Sequence, residues 1–316
     1  MRRVLLIGFI IIGIAILVVT GPPITFKPTR FVAITIDDLP ATSAQDLAEM
    51  QALTDDLLAH LKKFEIPAIG FVNEGKLFAG DSAKIEAHTA LLRRWLDAGL
   101  ELGNHTYAHI DFQNTPLDSI KADILRGERI LRPLLAEYDA VPRYFRHPFL
   151  HTGPDLQTRA AIDSFLAEQG YTVAPVTIDN SEWIYADAYD KALDRGDASL
   201  AHRIGSDYIR YMEEVFEFNE ALSHDVVGRE IKHVLLLHAN RLNADYLDDV
   251  ITMIRRRGYA FITLDEALQD SAYTLPDTYA GPRGLSWLQR WAISRGEAPR
   301  EEPGPPEFVM EIHRTR

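Results

Sequence analysis

Cysteine is absent from this 316-residue chain, which excludes disulfides, thiolate metal ligands and a cysteine nucleophile. Any transition ion would have to be held by histidine and carboxylate. Basic residues are in deficit as well, with 33 Lys and Arg against 46 Asp and Glu and a formal charge of -13. A surface that neutralises a phosphate backbone needs the opposite balance, so nucleic acid is excluded as the natural partner. Internal repeats and dividing linkers are also lacking from Phe31 onward. What is left, at 47% hydrophobic and 25% charged residues, is globular material long enough for one large domain of α/β-barrel size.

Long apolar runs are missing too, with one exception. Met1-Arg2-Arg3 precedes an unbroken apolar run from Val4 to Val19, followed by Thr20-Gly21-Pro22-Pro23. Basic residues ahead of such a run describe a signal peptide or a signal anchor. The run spans about 24 Å as a helix, a little short of the ~30 Å hydrocarbon core, and Thr20 and Gly21 extend it. No A-x-A-type cleavage site stands before the prolines, so the expectation is an uncleaved anchor over residues 4–21. Arg2 and Arg3 would stay in the cytoplasm, and the rest of the chain would lie outside it, periplasmic or at the cell surface.

From Phe31 the chain alternates short β-branched and apolar runs with amphipathic segments. Strand-like runs fall at residues 31–36, 68–72, 100–103, 144–146, 173–178, 234–238 and 260–263. Helical periodicity falls at residues 44–64, 82–98, 116–138, 154–169, part of 187–224, and 243–257. This alternation predicts an α/β fold, a distorted (β/α) barrel of about seven parallel strands with its site at their C-terminal ends. The expected division is an anchor or signal over 1–23, a catalytic domain over 24–275 and a proline-rich tail over 276–316. That tail either packs over the barrel through Trp287 and Trp291 or stays partly disordered.

Five of the strand ends carry residues capable of chemistry. The first strand ends in Asp37-Asp38, followed by Leu39-Pro40. Neighbours on an extended strand point to opposite sides, so the two acids share a site only if the chain turns there, as Pro40 suggests. Otherwise one caps a helix and the other is solvated. Next come His105 and His109, four apart, which on a helical turn would share a face and reach one ion. A pair of surface histidines is the ordinary alternative. Arg146 ends another strand and, beside two acids, would keep a neighbouring carboxylate ionised. Pro148 stiffens the turn after it and leaves the Phe149 amide free to donate. Asp179, with Trp183 close behind, and His238, at the end of a buried strand, complete the set. Each has an innocuous reading alone; five strand ends in one chain are harder to ascribe to chance.

In order and content these motifs resemble the polysaccharide deacetylase family, also known as the NodB-homology domain or carbohydrate esterase family four, over residues 31–268. The resemblance implies that Asp37 is the catalytic base and that Asp38, His105 and His109 hold one divalent ion, Zn²⁺ foremost, with Co²⁺, Ni²⁺ or Mn²⁺ as alternatives. It implies that Arg146 holds the base, that the Phe149 amide binds the oxyanion, that Asp179 orients the catalytic His238, and that Trp183 and Leu236 wall the substrate pocket. Ile36 stands where the family often has an aromatic residue, and Gly153 comes later than its usual glycine. The implied activity is removal of N-acetyl groups from the amino sugars of a polysaccharide or oligosaccharide. Two alternatives are hydrolysis of another small amide or acetate ester, and glycan binding without turnover.

Overall fold

The computed structural model describes residues 29–44 and 46–315. The apolar run 4–19 and the anchor expected there lie outside the described residues. Among the described residues, no helix is long and apolar enough to cross a membrane.

Among the described residues, seven strands alternate with helices: β1 (Arg30–Leu39), α1 (Leu47–Lys63), β2 (Ile69–Val72), α2 (Ser82–Asp97), β3 (Glu101–Asn104), α3 (Leu117–Arg126) and α4 (Leu131–Ala136). There follow β4 (Tyr144–Phe145), α5 (Leu156–Glu168), β5 (Thr172–Val173), α6 (Glu182–Asp194), α7 (Ala198–Val227) and β6 (Lys232–His238). Last come α8 (Arg241–Arg256), β7 (Tyr259–Phe261), α9 (Leu264–Leu268), α10 (Trp287–Ser294) and α11 (Glu307–Arg314). Side-chain caps explain many of the helix starts. Asp46, Asp81, Asp155, Asp197 and Asn240 each accept the amide three residues on, satisfying a donor that the helix cannot. The helical periodicity over 116–138 is interrupted at Gly127, which divides it into α3 and α4.

All strand pairs are parallel, in the order β5-β4-β3-β2-β1-β6, with β7 on β1. One edge of β1 is shared. Residues 30–32 pair with β7 and residues 35–39 with β2, while β6 runs along the other edge from Phe31 to Asp37. The sheet curls so that the chain beyond β5 comes back to β6, through a bridge between Ile178 and Leu235. Of the strand expected over 173–178 only Val173 joins the ladder on the β4 side, together with Thr172 before it. Its remainder bends across the opening.

Of the two readings of the segment 276–316, the described residues take the one in which it packs on the barrel through Trp287 and Trp291. Trp287, Leu288 and Trp291 of α10 are buried with Leu150, Val176, Leu222 and Leu236, and the Trp287 amide donates to the Val176 carbonyl at 2.7 Å. Buried Arg290 donates to Asp277 at 2.7 Å and to Thr152 at 2.9 Å. Val309 of α11 is fully buried in the main core. Proline spaces these helices without detaching them, because each delivers an apolar face to the barrel.

Candidate active site

Strand β1 delivers both acids. Asp38 sits in the left-handed region (φ 70°), and the β1–β2 register slips between Ile36 and Leu39. A non-glycine residue is strained there, and the turn lets two adjacent carboxylates enter one cavity. The expected turn at the strand tip is therefore a bulge-like irregularity within β1.

The two histidines also converge, but not on a helix. Residues 105–109 form a loop after β3 with Thr106 (φ 67°) and His109 (φ 51°) both left-handed. The loop is held from several sides. Asn104 accepts the Thr106 amide at 2.7 Å, Asp123 the Ala108 amide at 2.9 Å, and Thr106 the His109 amide at 3.0 Å. Gly127 is required where helix α3 ends, since a Cβ there would lie 2.7 Å from Asn104 Oδ1 and 2.8 Å from the Thr106 backbone.

Asp38, His105 and His109 offer ligand atoms within 4.8 Å of one another. His105 Nε2 is 3.9 Å and His109 Nε2 3.7 Å from Asp38 Oδ1. Tetrahedral bonds of ~2.0–2.2 Å to one ion place ligand atoms about 3.3–3.6 Å apart, so each histidine has to close on Asp38 by about half an ångström. Three further features fit a cation. Asp38 Oδ1 is buried without a hydrogen-bond partner. His105 Nδ1 lies 2.8 Å from the Arg146 carbonyl, which fixes it as the protonated nitrogen and leaves Nε2 with its lone pair. Burial, with each imidazole's neighbouring cations, lowers the pKa of both histidines, keeping them neutral as ligands must be. Burial alone would raise Asp38, but Lys76, His105 and His109 outweigh it and hold the carboxyl well below its usual range. Lys76, which the sequence reading missed, stands 3.4 Å from Asp38 Oδ1.

Asp37 is placed for a different task. Its Oδ2 is 3.7 Å from Arg146 Nη1 and 3.8 Å from His105 Nε2, and its Oδ1 is buried without a partner. Arg146 is fully buried and donates to Thr35 at 2.8 Å. Burial pushes Asp37 up to about 6, and Arg146 and then His238 pull against that without overcoming it. The guanidinium limits a rise that burial causes, and the carboxyl still ionises below neutral pH.

The register of β1 on β6 sets Asp37 beside His238. His238 Nδ1 meets Glu182 Oε2 at 2.7 Å, and this corrects the assignment of Asp179 as the orienting acid. After Ile178 the chain turns, α6 begins at Glu182, and that first helical residue reaches the imidazole. Asp179 instead accepts the Asn180 amide at 2.8 Å and lines the cavity. The Glu182 carboxylate is fully buried. Its Oε1 accepts from Asn240 and, at 2.9 Å, from Asn243, so every polar contact it needs is supplied. Burial would lower His238, but the charge and hydrogen bond of Glu182 prevail and raise it to about 9. The sequence contained a signal for Glu182, an acid three residues after Asp179 in the same motif.

A cavity of about 680 Å³ holds these groups. Leu236 lines it from β6 and Trp183, 54% exposed, from α6. Trp183 packs edge-on against His313 of α11, with ring centroids 5.4 Å apart. Phe149 is left-handed (φ 56°), its ring rests on His109 at 4.5 Å, and its amide has no protein acceptor among the described residues. Gly284 abuts the Phe149 carbonyl, leaving no room for a side chain. Gly284 and Glu302 bring the C-terminal segment into the cavity wall, a role that nothing in their sequence surroundings signals.

The family model described as polysaccharide deacetylase matches residues 26–169. That stretch contains Asp37, Asp38, His105, His109, Arg146 and Phe149, whereas Asp179, Glu182, Trp183, Leu236 and His238 lie beyond it. The chain is 25% identical over 240 residues to a peptidoglycan-N-acetylglucosamine deacetylase of Bacillus cereus, an alignment covering 76% of this chain and 69% of that protein. A solved peptidoglycan N-acetylglucosamine deacetylase is similar at 19% identity and a TM-score of 0.49, over 81% of this chain and 92% of that one. A CE4 family pseudoenzyme from Bacillus anthracis is similar at 17% identity and a TM-score of 0.47, over 77% and 67%.

Proposed function

Residues 26–169 belong to the polysaccharide deacetylase family, and on that footing we propose that the chain is a metal-dependent hydrolase removing N-acetyl groups from amino sugars of a polysaccharide or oligosaccharide. The observation that carries the reading is the pairing of opposite proton states beside one ligand triad. Asp37 is a carboxyl that ionises near 6, and its register neighbour His238 is an imidazole that stays protonated to about 9. Both are raised above their ordinary values, and between about 6 and about 9 the carboxyl is free to take a proton while the imidazole still holds one, as a base and an acid require.

Asp38, His105 and His109 would hold the ion, and a two-histidine, one-carboxylate set favours Zn²⁺. When bound, such an ion supplies Lewis acidity toward an acetamide carbonyl and lowers the pKa of water beside it. Asp37 accepts the proton released as water adds to the carbonyl carbon. The free Phe149 amide donates to the oxygen on which charge develops. His238, positioned by Glu182, gives its proton to the nitrogen as the C–N bond breaks, so acetate and a free amine leave. Leu236 and Trp183 offer an apolar wall to the acetyl methyl group. Anchoring through residues 4–21, outside the cytoplasm, belongs to the same proposal and suits a cell-envelope or extracellular glycan.

Metal titration tests the ligand assignment. The chelator-treated protein is expected to take up one Zn²⁺ per chain, and the variant His105→Ala/His109→Ala none, with an unchanged far-ultraviolet circular dichroism spectrum. Undiminished metal in the folded double variant would refute the triad.

A further inference from the structure

Six carboxylates line the cavity: Asp37, Asp38, Asp179, Asp187, Asp190 and Glu302. Among the described residues, neither lysine nor arginine lines it. Four of the six are engaged by cations from outside the lining or by the ligand triad. Asp37 faces Arg146, and Asp38 faces Lys76 and the two histidines. Asp187 pairs with Lys191 at 2.7 Å and Asp190 with Arg241 at 2.7 Å. Asp179 and Glu302 are different. Asp179 accepts a backbone amide, and Glu302 accepts only the Gln289 side-chain amide at 3.2 Å. Burial first and then the charge of Glu302 raise Asp179 to about 7 against the pull of His238 and Arg146, so Asp179 is only partly ionised near neutral pH and Glu302 is the acid of this wall to consider.

A cavity of about 680 Å³ is of the size that takes a small ligand, on the order of one to three sugar rings. A glycan that runs from the triad toward the C-terminal segment brings its next ring to this wall. A carboxylate on that ring would face Glu302, which no cation pairs at ion-pair distance among the described residues although Arg283 acts on it from outside the lining, in a partly desolvated site. Hydroxyls, or a free amine left by an earlier deacetylation, would find acceptors.

We infer that the cavity selects acylated sugars whose neighbouring rings carry no carboxylate, and that Glu302 of the C-terminal segment is the specificity-determining residue. The inference rests on the deacetylase reading for its substrate class. It sets this cavity apart from one built for a glycan with an acidic sugar at every second position.

The test compares two oligomers of equal length with the full chain loaded with Zn²⁺. One consists of N-acetylglucosamine alone; in the other, alternate sugars carry a lactyl carboxylate. The wild type is expected to favour the neutral oligomer in kcat/KM by at least about tenfold, the scale of one like-charge contact in a site of this kind. Glu302→Gln should reduce the ratio to a few-fold, and Glu302→Lys should bring the acidic oligomer level with the neutral one or above it. The ratio is read within each protein, so a general loss of folded material cancels. A wild-type ratio near one, or an unchanged ratio in Glu302→Lys, overturns the inference. If neither oligomer is turned over, calorimetry on the same pair reads the same preference as affinity. Unequal affinity without turnover then sustains the selection and counts against hydrolysis, whereas equal affinity refutes the selection itself.

Discussion

Asp37→Asn is expected to lower turnover of an N-acetylated glycan by about 10²–10⁴-fold, the usual contribution of a general base, while Zn²⁺ stays bound. The amide keeps the size and polarity of the carboxylate but cannot accept a proton. Asp38 shares His105 with Asp37 but has Lys76 and His109 besides, and the substitution removes none of the three ligands, so the ion should be retained. The loss should therefore fall on kcat, with KM for the glycan little changed. The wild type adds a check from its pH profile. A base that ionises near 6 must be deprotonated to work, so activity should fall on the acid side, and a cation at the triad moves that limb lower still. Near wild-type kcat in metal-loaded Asp37→Asn would remove the central step of the mechanism.

Glu182→Gln should cost about 10²-fold in kcat and also move the alkaline limb. His238 acts as the acid, so it must be protonated, and Glu182 is the main influence holding it up to about 9 against burial. Removing that charge lets the imidazole lose its proton at lower pH, which draws the alkaline limb toward neutrality. The same substitution at Asp179 should leave that limb nearly in place, because Asp179 does not bond the imidazole. Its effect should appear in substrate recognition. A larger alkaline shift in Asp179→Asn than in Glu182→Gln would restore the assignment made from the sequence. Zn²⁺ uptake by Glu182→Gln, measured alongside, separates a lost proton donor from a collapsed site.

These two acids show where sequence reading reaches and where it stops. Asp37, Asp38, His105, His109, Arg146 and His238 were legible because each follows a short apolar run, and parallel strands bring their C-terminal ends to one side of a sheet. The parallel order itself was legible for the same reason, as apolar runs separated by amphipathic ones. The choice between Asp179 and Glu182 was not, because it depends on how three residues turn before α6, and both acids fit the motif. The His105-x-x-x-His109 spacing pointed to a shared ion, but the backbone achieves it with two left-handed residues in a loop, a conformation that periodicity does not encode. The C-terminal segment looked like a tail because prolines interrupt its pattern. Trp287 and Trp291, the two residues that suggested packing, are buried, and so is Val309, but the segment's Glu302 enters the cavity from a distance in sequence that no motif spans.

The most direct measurement is acetate release from an N-acetylglucosamine oligomer by the chelator-treated protein, followed as Zn²⁺ is added. The account predicts no release without the ion, release rising to a plateau at one Zn²⁺ per chain, and one free amine formed for each acetate. It also predicts that Asp37→Asn takes up the same single ion and stays near the baseline. Wild-type protein carrying one Zn²⁺ at the triad, binding the oligomer and releasing no acetate, would contradict the hydrolase reading and leave a glycan-binding protein on this fold.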